Sequence, residues 1–181
     1  MVFSACGSED FTPKPHGYPR IDFPEKAYKE FAPDCGFAFA VPVYSTVTPD
    51  SSRGAEPCWY NINYTPFNAT LHLSYKDVPQ QSTLDSLISD SYTLVYKHSI
   101  KAEDIVERYM AKKEEDKYAI IFDLSGNTAT SLNFHVTDSS KHFIRGALYF
   151  NSRTEVDSIA PVLHFLRDDV LKLIESLTWK E

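Results

Sequence analysis

Residues 117–150 read KYAIIFDLSGNTATSLNFHVTDSSKHFIRGALYF, and their reading decides the fold. Three runs rich in β-branched and aromatic residues follow in quick succession: KYAIIFDL, TATSLNFHVTD and KHFIRGALYF. Ser125-Gly126-Asn127 makes the first hairpin turn, because glycine and asparagine tolerate positive φ. Asp138-Ser139-Ser140 makes the second. In the last two runs Leu132, Phe134 and Val136 share one face, and Phe143, Leu148 and Phe150 are expected near them in register. This is the signature of an antiparallel sheet.

Upstream, GFAFAVPVY is an apolar strand broken by Pro42, which places it at an edge or bends it. PDSSRGAEP reads as a loop. CWYNINY and ATLHLSYK are strands joined by a TPFN turn, with Leu71, Leu73 and Tyr75 alternating against His72 and Ser74. Between the two strand groups, Leu84, Leu87, Ile88, Ser91 and Val95 fall on one helical face, with Ser82 or Thr83 as N-cap. A second short helix is expected over Ala102 to Tyr109, and KKEEDK as a solvated connection. Downstream, Val162, Leu166, Val170, Leu173, Ile174 and Leu177 form the apolar stripe of a final helix, with Pro161 in its first turn and Arg167, Asp168, Lys172 and Glu175 outward. The order β-β-β-α-α-β-β-β-α predicts an α+β fold, an antiparallel sheet sandwiched by helices. In outline it resembles the PsbP/Mog1-like architecture, a likeness of topology that says little about function.

Five prolines between residues 7 and 36 exclude a long helix or a central strand there. TPKP favours polyproline geometry, and PEKAYKEF one short helical turn. The expected organisation is a remnant of a signal over 1–6, a Pro-rich tether over 7–20 and a single domain over 21–181. Tyr18, Ile21 and Phe23 should lie against that domain. Pro13, Pro15, His16, Tyr18 and Arg20 offer the flat, rigid surface on which partners dock. They would serve equally to cover part of the sheet.

The chain has 181 residues, enough for one domain with a short appendage, and needs no metal or multiple staples to fold. A net charge of −7 opposes binding to nucleic acid. No run approaches 18 apolar residues, so any membrane attachment within the sequence would be covalent. Cys6, flanked by Ser4, Ala5 and Gly7, reads as a lipoprotein processing site, where small residues let a peptidase bind the chain extended. The alternative is an ordinary thiol. Cys35 and Cys58 are then a disulfide pair if the chain is exported, contributing about 3 kcal/mol by loop entropy. They are two buried thiols if it is cytosolic, as in a soluble Mog1-like adaptor.

Phosphate loops, nucleophile elbows, HExxH and paired CxxC motifs are missing. His135 and His142, on adjacent strands across the Asp138 turn, could form a metal or acid–base cluster with Asp138, giving a periplasmic enzyme or small-ligand binder. Half-exposed strand histidines are the plainer reading. A pocket between sheet and helix is the other place for a ligand. His98 is expected at a helix end, and His72 facing solvent or a second layer.

Taken in order, TPKPHGYPRIDFPEKAY, DCGFAFAVPVY, EPCWYNI, LHLSYK, TLVYKHSIKA, DLSGNTATSLNFHVTDSSKHFIRGALYFN and APVLHFLRDDVLKLIESLTWK resemble the gliding-motility lipoprotein family GldD of Bacteroidetes. The resemblance covers nearly all of the chain from Cys6 onward. It implies that Cys6 carries the fatty acyl chains, such as palmitate, and that Cys35 and Cys58 are the two body cysteines. It also implies a lipid-anchored place in the cell envelope, at the outer membrane rather than the inner. The implied partners are other lipoproteins and envelope proteins of the motility and type IX secretion machinery. The resemblance implies neither an enzymatic activity nor a cofactor.

Overall fold

A computed structural model of the chain describes residues 20–151 and 156–180. Cys6 and most of the expected tether lie outside the described residues. Seven strands form one antiparallel sheet: β3 (Thr46–Pro49), β4 (Tyr60–Tyr64), β5 (Ala69–Asp77), β6 (Ala102–Lys112), β7 (Lys117–Gly126), β8 (Thr130–Thr137) and β9 (His142–Phe150). Their order across the sheet is β3-β4-β5-β9-β8-β7-β6. Two hairpin meanders therefore meet where β5 pairs β9 along its whole length, from Ala69↔Phe150 to Asp77↔His142. A smaller sheet has β2 (Phe37–Pro42) between β1 (Tyr28–Phe31) and β10 (Thr178–Trp179).

Period-2 alternation sends each strand's residues to two unlike layers. On one face Leu71, Leu73, Ile121, Leu132, Phe134, Val136, Ile144 and Leu148 are buried in the main core. That core is closed by β2 and by the stripe of helix α2 (Val156–Ser176), with Leu166, Val170 and Ile174 fully buried. Burial of each such side chain stabilises by about 1.5–3 kcal/mol. On the other face helix α1 (Gln81–Tyr96) covers two smaller apolar clusters, one around Leu84 and Phe143 and one around Val95 and Phe122. The result is three layers, with the large sheet in the middle.

Several local expectations give way to pairing. Ala102 to Tyr109 is not a helix but most of strand β6, bonded to β7 from Ala102↔Gly126 to Lys112↔Lys117. PEKAYKEF supplies strand β1, not a helical turn, and pairs with β2. GFAFAVPVY is consequently not an edge, and Pro42 simply ends a central strand. Pro161 sits inside α2 rather than in its first turn, and α1 has no side-chain cap. Phe143 faces α1, opposite to Leu148 and Phe150. Within KKEEDK, Lys117 is buried and its Nζ donates to the Glu175 carbonyl at 2.9 Å and to Glu115 at 2.7 Å. It thereby satisfies an open carbonyl at the end of α2.

Candidate functional site

His135 and His142 do not form a cluster. In the β8–β9 hairpin His135 stands opposite Arg145, so residues of the same face have numbers summing to an even total. His142 therefore points to the other side. His135 is buried under α1, 3.0 Å from Ser91 Oγ, with its ring stacked on Phe143. Burial, reinforced by the Arg145 charge, pushes its imidazole down to about 4, which keeps it neutral near pH 7. His142 stacks on Trp179 with ring centroids 5.2 Å apart, and its Nδ1 lies 2.8 Å from Tyr75 Oη. Because that phenol donates to Asp77 Oδ1 at 2.7 Å, the network assigns the Nδ1 proton to His142. A Cβ at Gly36 would fall 2.5 Å from Tyr75 Oη, so only glycine allows this approach.

Asp138 serves its own turn. Its Oδ1 accepts the backbone N–H groups of Ser140, Lys141 and His142 at 2.8–2.9 Å. Burial opposes ionisation, but these bonds outweigh it and hold the carboxyl below the usual range. Among the described residues no three His, Cys, Asp or Glu side chains are grouped to hold a metal ion.

A different constellation lies between α1 and the β5–β9 part of the sheet. There a groove of about 490 Å³ is lined by Trp59, Ser74, Leu87, Ser91, Arg145 and Tyr149, among others. Its walls are fixed: the Trp59 indole N–H donates to the Tyr75 carbonyl at 3.0 Å, and the Tyr149 ring meets His72 edge-on. His72 is held in turn by Asn61, 2.6 Å away, and burial pushes its pKa down. Arg145 stands between Ser74 on β5 and His135 on β8. Its Nε is buried, and among the described residues no acceptor reaches it. Burial lowers the guanidinium pKa, the mark of a cation whose solvation has not been replaced. Sequence reasoning passed over Arg145. The available signal was a cation within FIRGAL at the parity of Phe143 and Ala147, the positions of a covered face.

The N-terminal arm is fastened to the opposite layer. Asp169 on α2 is fully buried and accepts bonds from Lys26 Nζ at 2.6 Å, Tyr28 Oη at 2.9 Å and Tyr44 Oη at 2.6 Å. Burial and then the Asp169 bond push both phenols far above their ordinary range. Asp169 lies on the same helical face as Val162, Leu166 and Leu173, a polar break in the apolar stripe that could have flagged it. Phe23 stacks on Phe165 at 4.5 Å, and Ile21 packs on the core. Cys35 and Cys58 are bonded to each other, with their Cα atoms 6.1 Å apart. Arg20 is exposed and pairs with Asp22. Pro13, Pro15, His16 and Tyr18 fall outside the described residues.

The family described as gliding motility lipoprotein GldD matches residues 8–179. The chain belongs to that family. As the family is one of lipoproteins, this is a membrane-anchored envelope protein linked to gliding motility. None of its described helices is long and apolar enough to cross a membrane. No curated protein matches the sequence. Among solved structures, the cyanobacterial PsbP (CyanoP) of Synechocystis sp. PCC 6803 is similar, with 13% identity and a TM-score of 0.51 over 97% of this chain and 98% of that one. At that identity the likeness concerns the fold alone, and it agrees with the α+β outline read from the sequence.

Proposed function

We propose that this protein is held at the envelope by acyl chains on Cys6 and supports gliding, and the linked type IX secretion, by touching other envelope proteins. The match to the family across residues 8–179 carries this reading. The fastening of the arm adds to it. Two or more acyl chains hold a bilayer firmly where one does not. A tether over residues 7–20, extended at about 3.1 Å per residue, would set the body a few tens of ångströms from the lipid. From Lys26 onward the chain is pinned to α2, so a pull on the anchor is passed to the folded body. Pro13, Pro15, His16, Tyr18 and Arg20 stand between anchor and body, the place where a neighbouring lipoprotein would be met. The outer membrane is the proposed site.

Co-purification from detergent-solubilised native membranes tests the docking role. The expected result is recovery with motility or secretion components, weakened when Tyr18 and Arg20 are replaced by alanine. Recovery of the protein alone would refute it.

A further inference from the structure

We propose that the groove between α1 and the sheet is a binding site for a monocarboxylate with an apolar body, anchored by Arg145. The reading is independent of the lipid anchor and of any docked protein. A guanidinium offers five N–H donors in a planar fork that matches a carboxylate. Here the fork has no carboxylate of its own among the described residues, and its Nε is sealed from solvent. The sealed Nε leaves the cation's lost solvation unreplaced, while Arg145 as a whole is half-buried and lines the groove, where an incoming carboxylate would meet the guanidinium. The other cation lining the groove, Lys76, is already paired with Glu56.

The rest of the lining sets the ligand's character. Trp59, Leu87 and Tyr149 give flat and branched apolar contact beside the charge, suited to a hydrocarbon or aromatic body. Ser91, on the floor, is held toward His135. Asp50 and Asp90 also line the groove, so the field of one unpaired guanidinium faces two acidic groups. That balance accepts a single negative charge and disfavours a dianion such as phosphate. Asp90, exposed on α1 and lining the groove, is a carboxylate that competes with a ligand for the same cation.

The test is a titration of the 15N-labelled full chain with 3-phenylpropionate, following the Arg145 Nε–Hε and Trp59 indole resonances. Both should shift and saturate, whereas the neutral 3-phenylpropionamide should leave Arg145 unmoved and inorganic phosphate should bind more weakly than the acid. Arg145→Gln should weaken 3-phenylpropionate at least about tenfold, the loss of a charge-assisted bond. Asp90→Asn should tighten it about two- to fivefold by removing the competitor. The source of the carboxylate is separated by acetyl-Gly-Phe against its C-terminal amide. Tighter binding of this acid than of 3-phenylpropionate indicates a polypeptide C-terminus, and the reverse a free small acid. An Arg145 resonance that does not respond, equal binding of acid and amide, or tighter binding of phosphate would overturn the proposal. The wild-type titration decides even if the Arg145 variant does not fold.

Discussion

Asp169→Asn is the most informative single change to the fold, because it removes a charge without removing volume. The carboxylate holds one ammonium and two phenols, at 2.6, 2.9 and 2.6 Å, from a position with no solvent exposure. Hydrogen bonds to a charged group contribute about 1.5–3 kcal/mol each when isolated. Lys26 keeps 29% of its side chain exposed and can be rehydrated, so its share is discounted. The asparagine still accepts through one oxygen but turns an N–H group toward donors. We expect a net loss of about 3 kcal/mol, the lower end for breaking a buried charged pair. For a domain of this size that lowers the melting temperature by about 6–12 °C. Thermal unfolding gives the total, and hydrogen exchange of the Tyr28–Phe31 amides shows whether the arm loosens first. A melting point within about 1 °C of wild type, with unchanged exchange, would refute the latch.

Three further outcomes follow from the same structure. The His135 imidazole titrates at about 4 in the fold against 6.5 unfolded, so its share of stability is complete above pH 6.5 and is lost as pH falls toward 4. Urea unfolding at the two ends should differ by about 3 kcal/mol, and His135→Gln should flatten that difference. Replacing Cys35 and Cys58 together by serine opens the loop they close and should cost about 3 kcal/mol, read from the denaturant midpoint. Gly146→Ala places a Cβ 2.3 Å from the buried Phe134 ring and should destabilise by about 1–3 kcal/mol, more than the entropy alanine saves in the unfolded chain.

The α+β outline was legible because its central hairpins carry short turns and strict alternation. What was misread had weak periodicity. AEDIVERYMAK is an edge strand with both faces largely exposed, so its helix-favouring Glu, Arg, Met and Ala dominate its local character until β7 supplies a backbone ladder. YKEF behaves the same way against β2. The His135–His142 pair failed on parity alone, since a one-residue difference in register reverses the face. Arg145 and Asp169 were missed for a shared reason. Each is a single charged residue at the buried parity of an otherwise apolar element, and its worth depends on partners 125 or more residues away for Asp169 and on the lack of one for Arg145.

The account rests on a protein tied to lipid by the sulfur of Cys6. Intact-mass and peptide mass spectrometry of the native protein, taken from membrane and soluble fractions, tests this directly. The account predicts a membrane-borne chain that begins at an acylated Cys6 and retains a Cys35–Cys58 bond without reductant. An unmodified chain in the soluble fraction, with all three thiols free, would contradict it.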